Sequence, residues 1–244
     1  MLALTDISRQ WDQLRPVTIE PFPTAAPGSV LICQGQTRIL CTAALTSPPP
    51  KWLPTDDTGN PVQGWVTAEY SMLPGSTADR KRRGPDSRGT EIQRLIGRVL
   101  RAAVNLERMP GLAVTCDCDV LQADGGTRTA AITGAFVALS RVLAQARQQA
   151  MIDQDPVLGP VAAVSVGIVD GQPYLDLDYA LDVRAQVDMN VAMNHEGQLV
   201  EVQGTAEQGV FDRSELDILL DLATTGIKQL IDVQHRVLQE LVEG

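Results

Sequence analysis

Asp124-Gly125-Gly126-Thr127-Arg128-Thr129-Ala130 joins an alternating apolar run to a long segment rich in small residues, and the reading of this junction decides the rest. Ahead of it, Val114, Cys116, Cys118 and Val120 alternate with Thr115, Asp117 and Asp119, the period of a half-buried strand with its thiols on the apolar side. Behind it, Ala130, Ala131, Gly134 and Ala135 open a helix towards Gln149 whose small side chains allow close approach of a neighbour. A strand that passes through two glycines into a helix leaves backbone N–H groups free to hold an anion. Gly125 and Gly126 permit a sharp turn, Thr127 or Thr129 supplies a helix cap, and Arg128 adds a forked cation suited to phosphate. By itself the stretch reads equally as an anion seat or as a capped loop with a surface arginine.

The totals bound what surrounds it. A chain of 244 residues that is 44% apolar can bury a sizeable core, which rules out disorder throughout. A formal charge of −10 argues against coating a nucleic acid with the whole surface, so a polyanion would need a local basic site. Such a site exists between Asp79 and Arg108, where nine Lys and Arg stand against four Asp and Glu. Cys33, Cys41, Cys116 and Cys118 show neither zinc spacing nor the density of a disulfide scaffold, so reduced thiols in a cytoplasmic protein are expected. The run from Met1 to Trp11 has no apolar signal core, and no later segment holds about eighteen uninterrupted apolar residues, so no membrane partner is expected.

Val17 to Glu20 and Ser29 to Leu45 read as strands, the latter a hairpin about Gln34-Gly35-Gln36 with Cys33 and Cys41 in the core. Pro48 to Pro61 reads as a polar loop, and Trp65 to Ser71 as a further strand. Arg80-Lys81-Arg82-Arg83 then forms a loop that cannot pack on itself, either an electrostatic clamp for a phosphate backbone or a solvated charged loop. Arg88 falls just before a helix whose apolar face is Ile92, Leu95, Ile96, Val99, Leu100 and Ala103. The second half again begins with hairpins, about Asp170-Gly171 and about Asn194 to Gly197, and ends with two helices, Ser214 to Ala223 and Thr225 or Gly226 to Glu243. The duplicated order suggests halves of about 15–150 and 160–244 within a single domain, 1–244.

Asp176, Asp178, Asp182 and Asp188 are separated by even numbers, so a continuous strand would put them on one face. Such a cluster is either an acidic solvent face or a hard-oxygen site for Mg²⁺ or Mn²⁺. Phosphate-loop, nucleophile-elbow and zinc-protease motifs are absent, and the two histidines, His195 and His235, fall in a turn and on a surface-like helix. An anion pocket, a carboxylate cluster and a basic loop remain, the parts of phosphoryl transfer on a nucleic acid.

Leu121-Gln122-Ala123-Asp124-Gly125-Gly126-Thr127-Arg128-Thr129-Ala130 resembles the signature of the ribonuclease PH family. Arg88 with Glu91 to Ile96, Gly64 to Tyr70, Asp188-Met189-Asn190-Val191 and Glu201 to Glu207 resemble further family motifs in the same order, so the likeness runs from about Arg15 to the final helix. The resemblance implies an α+β fold of duplicated β-α-β-α units with mixed sheets and flanking helices, related to a ribosomal S5 domain and assembled as a homohexameric ring of dimers. It implies a phosphate-dependent 3′-to-5′ exoribonuclease that trims tRNA precursors, with inorganic phosphate as nucleophile and nucleoside diphosphates as product. Arg88, Gly126, Thr127 and Arg128 correspond to the family's phosphate site, Asp182 and Asp188 to its catalytic, metal-holding carboxylates, and Arg80 and Arg83 to its RNA-binding arginines. Leu181 and Val183 depart from the acidic and small polar residues usual beside the first carboxylate, Gly75 replaces a loop arginine, and Thr55 to Pro61 resembles an insertion. An inactive RNA-binding ring subunit and a metal-dependent phosphohydrolase are the rival expectations. Retention of both carboxylates with both arginines argues against the first, and a hydrolase needs no phosphate seat.

Overall fold

The structure is a computed structural model that describes residues 9–46, 49–84 and 87–243, without the side chains of 241–243. The first eight residues of the N-terminal run, Pro48, Pro85 and the Leu241 side chain lie outside the described residues. Five strands form the first sheet, in the order β1 (Val17–Pro21), β2 (Gly28–Gln34), β3 (Thr37–Thr46), β5 (Ala113–Gln122) and β4 (Trp65–Met72). Pairing is antiparallel except between β4 and β5, which run parallel and therefore need a crossover, supplied by α1 (Ser87–Arg101). The second sheet, β7 (Gln172–Leu175), β6 (Val161–Val169), β8 (Val187–Asn194) and β9 (Leu199–Ala206), is antiparallel throughout. With α2 (Thr127–Gln148), the short α3 (Tyr179–Asp182) and α4 (Arg213–Glu243), each half reads strands, helix, strands, helix, the expected α+β plan.

Every residue of helix α2 from Thr129 to Leu139 is buried, and a helix of that kind must be covered on every side. By length and composition it could cross a membrane, but here 83% of its most apolar window is buried. One side packs on β2, β3 and β5, the other on β6. The alternation of β6 continues the stack: Val161 and Ala163 join the α2 core, whereas Ala162, Val164 and Val166 face Leu219, Ala223, Ile227 and Leu230 of α4. The layers are therefore sheet, helices α1 and α2, sheet, helix α4. The small residues expected in α2 serve close contact, since a Cβ on Gly134 would lie 2.8 Å from Cys41 Sγ, and one on Gly28 of β2 would lie 2.0 Å from the carbonyl oxygen of Ala138.

Two expectations about the chain are corrected. The C-terminal segment is one helix, not two: Thr224 and Thr225 donate back to Leu220 O and Asp221 O, and a Cβ on Gly226 would lie 2.7 Å from Leu175 Cδ1, so this glycine marks a packing contact and not a break. Cys33 is not a core residue. It pairs with Arg38 on the half-buried face of β2, while Cys41 lies opposite Cys118 inside, and all four thiols are free.

The two halves are also tied by a buried ion pair that the sequence did not signal. Arg15, 6% exposed, donates from its backbone N–H and Nε to Asp176 Oδ2 at 2.8 and 2.9 Å, and from Nη2 to Asp176 Oδ1 at 2.6 Å. Burial alone would push the Asp176 carboxyl up, but the Arg15 charge and hydrogen bonds outweigh it and hold the pKa below the usual value. On the surface, Arg98 of α1 forks onto Glu201 of β9 at 2.7 and 3.0 Å.

Gly28→Ala should lower stability by about 1–3 kcal/mol, read as a shifted urea midpoint at unchanged slope, because β2 must move off α2. Asp176→Asn, which leaves Arg15 buried opposite a neutral amide, should cost about 3–5 kcal/mol at pH 7. Since the folded pKa of Asp176 lies below its unfolded value, its stabilisation is complete above the ordinary carboxylate range and fades as pH falls through the folded value. Urea titrations from pH 7 to 2 should therefore show the wild type and Asp176→Asn converging in acid.

Candidate active site

The junction between β5 and α2 is built as an open helix start. Gly125 and Gly126 both have positive φ, +73° and +64°, and a Cβ on Gly125 would lie 2.4 Å from Leu177 O. Contrary to the expectation from the sequence, neither Thr127 nor Thr129 caps the helix. Gly126 occupies the cap position and has no side-chain oxygen to offer, while the Thr129 hydroxyl donates back to Gly126 O. Among the described residues no hydrogen bond leaves the backbone N–H of Gly126, Thr127 or Arg128, so the first turn keeps its donors. The Tyr70 hydroxyl of β4 donates to Thr127 Oγ1 at 2.8 Å, which leaves the proton of the Thr127 hydroxyl to be given elsewhere.

Cations gather around this floor. Arg128 donates to Gln203 Oε1 at 3.1 Å and stands 3.8 Å from Glu91 Oε1, so β9 and α1 hold its guanidinium from two sides. Arg88 is in the first turn of α1 and not ahead of it, and its charge acts on Tyr70, Asp182 and Asp188 together. Arg80 and Arg83 stay exposed on the preceding loop.

The four carboxylates do not share a strand. Strand β7 stops at Leu175, and Asp176 turns the chain with φ +58° while it binds Arg15. Asp178 caps α3 by accepting from Leu181 N at 2.9 Å. Asp182, the last residue of α3, lies near enough to Asp188 of β8 for its charge to act on it. Burial first, and then the Asp182 charge, push the Asp188 carboxyl up to about 6, against the pull of Arg128 and Arg88. Asp182 keeps solvent access, and its pKa is also raised, by partial loss of water and by Glu207 and Asp178, while Arg88 and Arg128 oppose the rise. Glu207, just beyond β9, thus adds a third negative charge that sequence reasoning did not assign.

A carboxylate whose pKa is raised by a second one nearby, as Asp188 is by Asp182, forms with it a hard-oxygen pair that a divalent cation would relieve. Among the described residues no three His, Cys, Asp or Glu side chains close around one point, so a cation held by Asp182 and Asp188 would complete its shell with water or substrate oxygens. The unusual neighbours of Asp182 are accommodated: Leu181 packs against the Val169, Leu177 and Ala185 cluster, and Val183 is exposed. A Cβ built on Gly75 would meet nothing within 4 Å beyond its chain neighbours, and the Thr55 to Pro61 segment closes on itself through a bridge between its ends and hydrogen bonds to Asp56.

Residues 13–143 match the family model described as the 3′ exoribonuclease family, domain 1, and residues 159–226 match domain 2 of the same family. Ribonuclease PH of Corynebacterium efficiens is 50% identical over 236 residues, covering 94% of each chain. Ribonuclease PH of Acaryochloris marina is 50% identical over 234 residues, 94% of this chain and 96% of its own. Among solved structures, the Archaeoglobus fulgidus exosome with RNA bound to the active site superposes with a TM-score of 0.77 at 21% identity, over 91% of this chain and 89% of that one. Rice (Oryza sativa) Rrp46 does so with 0.71 at 19% identity, over 95% and 98%, and both likenesses concern the fold. A chain that matches both halves of the family and shares half its residues with two ribonucleases PH over nearly its whole length belongs to the ribonuclease PH family of 3′ exoribonucleases.

Proposed function

We propose that this chain is a phosphate-dependent 3′-to-5′ exoribonuclease that shortens the 3′ ends of tRNA precursors and releases nucleoside diphosphates. The observation that carries this reading is the meeting of an open anion floor, Arg88 and Arg128 with the Asp182–Asp188 pair at one place. A hydrolase would use water as nucleophile and have no need of a phosphate seat beside its carboxylates.

In this reading the N–H groups of Gly126 and Thr127, the Thr127 hydroxyl, Arg88 and Arg128 hold inorganic phosphate with one oxygen facing the last phosphodiester of the RNA. That oxygen forms a bond to phosphorus as the bond to the preceding O3′ breaks, giving a nucleoside 5′-diphosphate and a chain one nucleotide shorter. Asp182 and Asp188 would hold Mg²⁺ or Mn²⁺, which when bound offsets the charge gathered on two adjoining phosphates. A carboxyl oxygen of the same pair hands a proton to the departing O3′, a role supported by the half-buried position of Asp188 on β8. Arg80 and Arg83 grip the RNA backbone through long-range attraction, which the −10 charge of the chain confines to this region. The reading includes a cytoplasmic location, supported by four free thiols, and a homohexameric ring of three dimers built from single-domain subunits, supported by likeness to an archaeal exosome core at a TM-score of 0.74.

A 3′-labelled tRNA precursor incubated with Mg²⁺, with and without inorganic phosphate, should release labelled nucleoside diphosphate only when phosphate is present. Monophosphate release independent of phosphate would refute phosphorolysis, and no release at all would favour a purely RNA-binding subunit. Arg128→Ala should raise the phosphate KM by about tenfold or more, whereas Asp188→Asn should lower kcat on the order of 10²-fold or more at every phosphate concentration.

A further inference from the structure

We infer that Thr37 and Arg15 are positioning residues for the phosphate seat: by holding the carbonyl oxygens of Asp124 and Gly125 from behind, they turn the N–H of Gly126 towards the anion. The inference rests on the phosphate-dependent reading above. Thr37 begins β3 and is fully buried, and neither residue was singled out by motif or period.

One hydroxyl spans two residues of the loop. Thr37 Oγ1 accepts from Asp124 N–H at 2.9 Å and donates its own proton to Gly125 O at 2.7 Å. Arg15 supplies a second hold, from Nη1 to Asp124 O at 2.5 Å, while Nε and Nη2 are fixed on Asp176. A trans peptide is planar, with its C=O and N–H pointing in opposite directions. The Gly125 carbonyl that faces buried Thr37 therefore sends the Gly126 N–H to the opposite, open side of the loop. The Asp124 carbonyl that faces Arg15 orients the next N–H likewise. Two glycines with positive φ could adopt other conformations at little cost, so these outside contacts give the loop a defined direction. An anion seat whose donors are already aimed loses no free energy to reorientation when phosphate binds.

The test uses the full-length protein and reads phosphate KM against kcat at saturating phosphate, with titration calorimetry of inorganic phosphate as a direct binding measurement. Thr37→Val keeps the shape and removes the hydroxyl. It should raise the phosphate KM and Kd by about tenfold while kcat stays within about twofold, and Thr37→Ser should restore both. Arg15→Lys keeps a cation opposite Asp176 but lacks the fork that reaches Asp124 O, and it should give the same split should Thr37→Val fail to fold. A folded Thr37→Val or Arg15→Lys with wild-type phosphate affinity would overturn the inference, as would a loss confined to kcat or one that Thr37→Ser leaves uncorrected. A wild type that turns over RNA without phosphate would instead overturn the reading of the site, and the inference with it.

Discussion

A helix without a wet face is the constraint on which this structure depends. From Ala130 to Leu139 the side chains of α2 are apolar or small and buried on every side, and each large one fully withdrawn from water, such as Phe136 or Leu139, contributes about 1.5–3 kcal/mol. One sheet cannot cover such a helix, so a second must close over it. That requirement brings the second half of the chain onto the first and makes β6 buried on both faces. The helix N-terminus then opens where the two sheets meet, which is why residues from β4, α1, β8 and β9 reach the same floor.

The seam between the halves needs polar partners as well. Loop backbone at the end of β5 must satisfy its carbonyls away from water, and Arg15 and Thr37 do so from two separate parts of the chain, with Asp176 fixing Arg15 from a third. Taking a guanidinium and a carboxylate out of water costs several kcal/mol each. The Arg15–Asp176 geometry, with three hydrogen bonds between the two residues, offsets that cost and ties the start of the chain to the turn after β7.

Charge at the site is balanced between opposing groups and not cancelled. Asp188 is pushed up by burial and by Asp182, while Arg128 and Arg88 pull it down. Arg128 in turn is steadied by Gln203 and Glu91, neither of which takes it out of reach of an anion. In the proposed reading a phosphate would answer the arginines and a cation the carboxylates, because the protein's own groups only partly offset either charge.

The local order of elements was legible in the sequence because strand and helix periods are properties of short segments. The alternation of Val114 to Val120 and the small residues after Gly126 predict β5 and α2 closely, and the sharp glycine turn between them follows from the same stretch. Where a local signal had two meanings, only packing chose between them. Gly226 reads as a break but is a contact with Leu175, and Cys33 reads as core but faces outward because strand pairing sets its side. The even spacing from Asp176 to Asp188 suggested one strand face, yet a left-handed residue and a capped turn dispersed the group and left Asp182 and Asp188 together. Arg15, Thr37, Gln203 and Glu207 had no spacing to betray them, since they lie 109, 87, 75 and 19 or more positions from the residues they serve. What the sequence determined by itself was the chemistry available and the elements that carry it. Which carboxylates face the arginines, and which carbonyls are held so that the loop can face an anion, was decided by contacts between distant segments, which no period along the chain can encode.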